Sequence, residues 1–387
     1  MDHLGTTIAF YVGAWICLYL ICKYLRTEER GLTVRPLYMI YKTTALNKAI
    51  EKIPRRGRGC WRTIWSIGAA IGVGQIVLIL FQLTRNLAMF LVRKEEASPL
   101  VVLVPLPGLT MSWENFPYVA VALCLLVIVH EFAHGMASAT DNIPLKSAGV
   151  FFAVAIPGAF VEVDDEKLVS ASDATRFRVF AAGSSANLAC WFLVILLMTN
   201  FGVAISPFYD RGPSGVLISD LVPDGAAEKA GMSKWGVIRS LNGSSIRSVE
   251  QLEGYLKKVR SNSTLVVGTD IGEFVVVTQP HSVDRSKAAL GIFAFDYFSP
   301  RLAVLPKELP YHVYSAMNWM YILFINVALV NMLPLYPFDG DRFLDAILKA
   351  FSIERSREIR TIVSSLCLTI LTLNFALTIL TFGFIRI

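Results

Sequence analysis

The side chains in this 387-residue chain best spaced for chemistry are those of His130-Glu131-Phe132-Ala133-His134. On a helix, residues four apart lie on one face a turn apart, so His130 and His134 can grip a single metal ion. Glu131 sits between them in sequence, placed to take a proton from a water activated at that metal. This is the H-E-x-x-H spacing of zinc-dependent hydrolysis. The pattern is short and arises by chance in many proteins; on a soluble helix, chance and function would weigh about evenly. Here residues 118–129, just before it, are all apolar. Inside hydrocarbon each ionisable group costs about 2.5–3.5 kcal/mol or more unless partnered. Two histidines and a glutamate there need a reason, and a metal site supplies one.

A third ligand and a polar helper can be sought at the same depth. The stretch Asn331-Met-Leu-Pro334-Leu-Tyr-Pro337-Phe-Asp339-Gly340-Asp341-Arg342 ends an apolar run with two prolines, which break the helix and free backbone groups. Asp339 lies at that broken end and can reach a zinc held by the histidines, although an Asp-Gly after proline is by itself more often a turn. Asp341 puts a second carboxylate close by. Asn187, after Gly183-Ser184-Ser185-Ala186, lies about level with the histidines, where an asparagine is often only a link between helices. Residues 149–163 are too few to cross a bilayer and are broken by Pro157-Gly158, which reads as a short re-entrant or interfacial β-hairpin. Its edge, at Gly158, Ala159 and Phe160, can accept an unwound substrate as an added strand. A membrane-dipping loop with no substrate role fits equally well.

The elements that must position these residues follow from composition. With 54% hydrophobic and 17% charged residues and a mean hydropathy of +0.54, the chain reads as a mainly α-helical polytopic membrane protein. About six transmembrane helices are expected, near residues 6–22, 63–83, 117–136, 177–199, 312–332 and 361–382. The first shows no basic leader and no small-residue cleavage site, so it reads as retained. The net charge of +6 does not point to nucleic acid, because the basic residues gather in loops beside the spans. From Lys23 to Arg62 they mark a cytoplasmic loop, as do Arg342 to Arg360 near the other end. That places the N-terminus outside and the metal in the cytoplasmic third of the bilayer, His130 lying roughly 20 Å along its span. Six scattered cysteines show neither disulfide nor metal-ligand spacing. Four regions result: 1–98, two helices around the basic loop; 99–211, the HEFAH helix, hairpin and Asn187 helix; 212–280, a soluble mixed segment outside; and 281–387, the Asp339 stretch and last helix.

Together these residues resemble the site-2 protease family of intramembrane zinc metalloproteases, closest to its archaeal and eukaryotic branch with an inserted PDZ-like domain. The resemblance runs from about Pro99 onward. It rests on Pro105-Leu-Pro-Gly108, His130-Glu131-x-x-His134-Gly135, Pro157-Gly-Ala-Phe160-Val161-Glu162, Gly183…Asn187 and Asn331-x-x-Pro334…Asp339-Gly340, all in the family's order. It implies that His130, His134 and Asp339 bind Zn2+, that Glu131 activates the water, and that Asn187 helps hold the substrate or its developing oxyanion. Segment 212–280 then resembles a small α+β PDZ-like domain, with Gly215, Val216, Leu217 and Ile218 as its carboxylate-binding strand. Such a domain would filter substrates by size or recognise a C-terminus freed by an earlier cut. Phe338 stands where the family has leucine, and Trp235-Gly236 where it has Gly-Asp.

The function expected is cleavage of a single-span membrane protein within its transmembrane segment, in the bilayer, with an upstream protease acting on the same substrate as a candidate partner. Two other classes compete. A metal transporter would need successive ligand sets along a path, and the other histidines, His3, His281 and His312, lie outside the inner third; metal flux would favour it. An inactive scaffold acting through the 212–280 segment would not need an intact His130, Glu131, His134 and Asp339.

Overall fold

The computed structural model describes residues 2–383 apart from 26, 36, 102, 109, 154, 155, 282, 283 and 286. The chain divides into two compact units, Met1–Val194 with Trp319–Ile387, and Ile195–Asn318. In chain order the first unit begins with α1 (Asp2–Tyr24), β1 (Leu32–Arg35), β2 (Tyr38–Thr43), α2 (Ala45–Arg55) and α3 (Arg58–Val92). It continues through α4 (Phe116–Thr140), β3 (Leu145–Ala153), β4 (Ile156–Val163), α5 (Asp165–Val169) and most of α6 (Asp173–Thr199).

The second unit holds α7 (Phe201–Ala204), β5 (Gly215–Leu221), α8 (Ala226–Lys229), β6 (Val237–Leu241), β7 (Ser244–Ser245) and α9 (Val249–Leu256). Then follow β8 (Thr264–Thr269), β9 (Gly272–Val277), β10 (Gln279–Pro280), β11 (Ala288–Ala289) and β12 (Ile292–Tyr297). Helix α10 (Leu309–Val330) returns to the first unit, which closes with α11 (Asp339–Ala350) and α12 (Ser356–Phe382).

Among the described residues, five helices are long and apolar enough to cross a membrane: α3, α4, α6, α10 and α12. The described apolar part of α1, Tyr11–Tyr24, is shorter. Helix α3 has 35 residues, about 52 Å at 1.5 Å per residue, well beyond a hydrocarbon core of about 30 Å. Residues 84–92, beyond the span expected near 63–83, continue the same helix, since no proline or glycine intervenes after Leu83. Glycines let α3 sit close to its neighbours. A Cβ on Gly68 would meet Ser185 Oγ at 2.5 Å, and one on Gly72 would meet Ala181 Cβ at 3.1 Å.

The expected hairpin forms, with β3 antiparallel to β4, but it is not alone. Strands β1 and β2, from the basic loop, extend it to a four-stranded sheet in the order β1-β2-β3-β4. Two cross-strand pairs explain the glycines: Phe160 lies opposite Gly149 and Phe151 opposite Gly158. A Cβ on either glycine would strike the facing ring, at 2.6 Å for Gly149 and 2.2 Å for Gly158. Each phenyl thus covers bare backbone across the strand. Helix α2 packs its Ile50 against Gly135, the residue after the HEFAH motif, and its Asn47 amide donates to the Leu145 carbonyl at 3.0 Å. The C-terminal end of α4 is therefore packed against the basic segment.

The second unit is built on a sheet ordered β12-β5-β6-β8-β9, with β7 paired to β6. Val216, Ile218, Ile238, Leu241, Val267 and Val276 fill its core beneath α8 and α9. Because β12 pairs with β5, this folded unit runs past residue 280 to Tyr297. Trp235 has a φ of +68°, a region L-residues rarely adopt, and its ring meets Tyr311 and His312 at 5.4 and 5.3 Å between centroids.

Candidate metal centre

Helix α4 carries both histidines on one face, and α11 brings the carboxylate. His130 Nε2, His134 Nε2 and Asp339 Oδ2 form a triangle whose three sides are each 3.1 Å. Among the described residues these three make the one cluster of His, Cys, Asp or Glu side chains whose donor atoms could share an ion. Two nitrogens and a carboxylate oxygen converging in this way suit zinc, with a ligand distance of about 2.0–2.2 Å. The space between them is shaped for it. A Cβ added to Gly183 on α6 would lie 2.5 Å from His130 Cε1 and 2.5 Å from His134 Nε2, so only glycine leaves that volume free.

Each ligand is held from behind. His134 Nδ1 lies 2.7 Å from the Val179 carbonyl, which accepts its N–H and leaves the Nε2 lone pair to the centre. His130 Nδ1 lies 3.2 Å from the Asn187 side-chain amide, and Asn187 is wholly buried. The Asn331 side-chain nitrogen is 3.5 Å from His130 Nε2. Asp339 opens α11, and the Gly340 N–H donates to the Asn331 carbonyl at 2.8 Å. A Cβ on Gly340 would lie 2.2 Å from the Met332 carbonyl oxygen, so glycine lets the broken segment fold back on itself. The second carboxylate has a different partner: Asp341, 2% exposed, accepts from Arg360 Nε at 2.7 Å and ties α11 to α12.

Glu131 faces β4, where its Oε2 accepts the Val161 N–H at 3.1 Å. A cavity of about 480 Å³ leads to Glu131, His134 and Asp339, between the four-stranded sheet and the start of α11. Its rim is charged. Lys42 pairs with Glu162 at 3.5 Å and Arg342 with Asp165 at 3.8 Å. The Ser147 hydroxyl, then Lys42, holds the Glu162 carboxyl below the usual carboxylate range. Water and a polar backbone can thus reach a centre otherwise walled by apolar helices.

The profile of peptidase family M50 matches residues 118–374, about two thirds of the sequence and every residue of this centre. The chain belongs to that family, the site-2 protease family. It is similar to the membrane-bound transcription factor site-2 protease homolog of Arabidopsis thaliana, with 28% identity over 213 residues, 53% of this chain and 40% of that protein. It is also similar to an uncharacterized protein of Methanocaldococcus jannaschii, with 26% identity over 348 residues, 88% of this chain and 84% of the relative.

Of the residues singled out in sequence, His130, His134 and Asp339 come together, Glu131 is beside them and Asn187 lies behind His130. Gly158, Ala159 and Phe160 are on β4, the edge strand next to Glu131. Gly215, Val216, Leu217 and Ile218 are a correction. They lie in β5, buried and paired with β12 on one side, while Val216 and Leu217 also pair with β6 on the other, so this strand has no open edge for a peptide. An edge of this sheet is formed by β12, where a groove of about 750 Å³ runs against α9, lined by Leu252, Leu256, Leu290, Gly291 and Ile292. Sequence reading assigned no role to Gly183, the Val179 carbonyl or the Asn331 amide. Gly183 and Asn331 were visible inside their motifs, but a backbone carbonyl has no sequence signal.

Proposed function

We propose that this chain is a zinc-dependent intramembrane endopeptidase that hydrolyses a peptide bond within a transmembrane segment of a membrane-bound substrate. The observation that carries the reading is the 3.1 Å triangle of His130, His134 and Asp339 with Glu131 beside it, set in apolar helices. Zinc bound there would supply Lewis-acid activation of a water and of a peptide carbonyl. Glu131 takes the proton of the attacking water and returns it to the leaving amine. The Val161 N–H orients that carboxylate, and the apolar walls exclude all but the water entering by the rimmed cavity.

A helical substrate hides its carbonyls in its own hydrogen bonds, so it must unwind before attack. The edge of β4, with Gly158, Ala159 and Phe160, is where the unwound segment would add as a strand, since the opposite edge of the hairpin is already paired to β2. The basic segments 23–62 and 342–360 favour an orientation with the centre near the cytoplasmic face. The Ile195–Asn318 unit would then lie outside, acting as a PDZ-like domain whose groove between α9 and β12 receives the end of a previously cut substrate. An upstream protease would supply that end. The test is incubation of the purified protein in lipid with single-span substrates, with and without a zinc chelator. Cleavage inside the apolar segment, lost with chelator and restored by zinc, is expected. Bound zinc with transmembrane metal flux and no cleavage would overturn the reading.

A further inference from the structure

We infer that Asn187 is a positioning residue for the metal centre: its side-chain oxygen accepts the His130 Nδ1–H and so fixes His130 in the tautomer that binds metal through Nε2. The inference rests on the zinc-centre reading above and departs from the oxyanion role expected from sequence. A neutral imidazole carries one proton, so a ring that gives its Nε2 lone pair to a metal must hold that proton on Nδ1. The Nδ1–H then needs an acceptor. His130 Nε2 points into the 3.1 Å triangle, and the group at Nδ1 is the Asn187 amide, 3.2 Å away.

The two ends of that amide are not equally at ease. With Nδ2 placed toward His130, the Asn187 Oδ1 is buried without a hydrogen-bond partner. The nitrogen and oxygen of an asparagine are alike in shape, and their assignment follows the bonds they make. Placing Oδ1 on the Nδ1–H is the assignment compatible with coordination through Nε2; it gives the orphaned oxygen its donor, and the Nδ2 amide takes the buried position that Oδ1 leaves. Asn187 is also 0% exposed, behind the imidazole and away from the cavity that admits water, which is the wrong side for a group meeting the substrate. The arrangement parallels His134, whose Nδ1 is held by the Val179 carbonyl at 2.7 Å. Each histidine therefore has one oxygen acceptor behind it, both supplied by α6.

The experiment compares zinc affinity, by chelator competition, in the wild-type protein, Asn187→Leu and Asn187→Asp. A second readout is the visible spectrum with Co2+ in place of zinc. Leucine removes the acceptor at similar volume, and its affinity should fall about 10–100-fold. Aspartate keeps the acceptor, so Asn187→Asp should hold zinc within a few-fold of wild type, with cobalt bands shifted by the more basic imidazole. Equal, wild-type affinity in both variants would overturn the inference. So would equal losses in both, the mark of a packing role. If Asn187→Leu does not fold, Asn187→Asp decides alone: retained zinc with shifted bands supports the inference, and weakening beyond tenfold or unshifted bands contradicts it. Absence of zinc from the wild-type protein would instead count against the metal-centre reading.

Discussion

At the scale of residues, the centre depends on a few atoms being where they are and on one being missing. Gly183 is the missing one: a methyl there would sit 2.5 Å from both imidazoles, in the volume the ion needs. Gly183→Ala should insert in the membrane and purify normally, yet retain little zinc on elemental analysis; wild-type zinc content would show that the helices part easily at this point. The histidines, Glu131 and Asp339 were legible in sequence because helical spacing and the cost of burying charge in hydrocarbon both pointed to them. The choice of Asp339 over Asp341 was favoured in sequence only by the family resemblance, since carboxylates two residues apart can both reach the histidines. It is made by Arg360, which takes Asp341. The strand Gly215, Val216, Leu217 and Ile218 read correctly as a strand but not as a binding edge, since its apolar run is what a strand paired on both sides also shows.

At the scale of elements, α11 is the part that must be aimed, because it delivers Asp339 from a broken helix to histidines on α4. The Arg360 pair with Asp341 anchors its first turn. Asp341 is buried and Arg360 about one third exposed, so Asp341→Asn should cost on the order of 1–3 kcal/mol, seen as a lower melting temperature. Zinc should also leave the variant faster, because the ligand helix is less well held. The four-stranded sheet was only half legible. Its β3-β4 hairpin stood out as an apolar run too short to span, whereas β1 and β2 lay inside a run of lysines and arginines that reads as loop. Their pairing is long-range, Tyr41 with Val150 for example, and no local pattern encodes it. In the second unit, a turn of the sheet is tied by Asp270 and Lys307, 2.6 Å apart. Burial alone would raise the Asp270 pKa, but the hydrogen bond from Lys307 and the Val237 N–H outweigh it, and the net shift is downward. A carboxyl with a lowered folded-state pKa stabilises above its unfolded value of about 3.9 and loses that contribution as pH falls through the folded one. Lys307→Met should therefore lose more stability at pH 7 than near pH 2 in denaturation of the full chain. An equal loss at both would make the pair irrelevant.

At the scale of the molecule, hydropathy leads one to expect about six spans; among the described residues five helices are long and apolar enough to cross, and the apolar part of α1, Tyr11–Tyr24, is shorter. Orientation rests on charge. Cys60, exposed in the basic region at the start of α3, gives a direct check when the other five cysteines are replaced. A membrane-impermeant maleimide should label it in inverted vesicles and not in right-side-out ones; the opposite pattern would put the centre near the outer face. The central claim, that a metal held by His130, His134 and Asp339 works with Glu131 to break a peptide bond, is tested most directly by Glu131→Gln. The substitution leaves all three ligands and the Val161 contact in place but removes the base. Zinc content and substrate cleavage should be measured on the same preparation. Wild-type zinc content is expected, with cleavage reduced on the order of 10²–10⁴-fold. Cleavage at the wild-type rate by a zinc-loaded Glu131→Gln protein would contradict it.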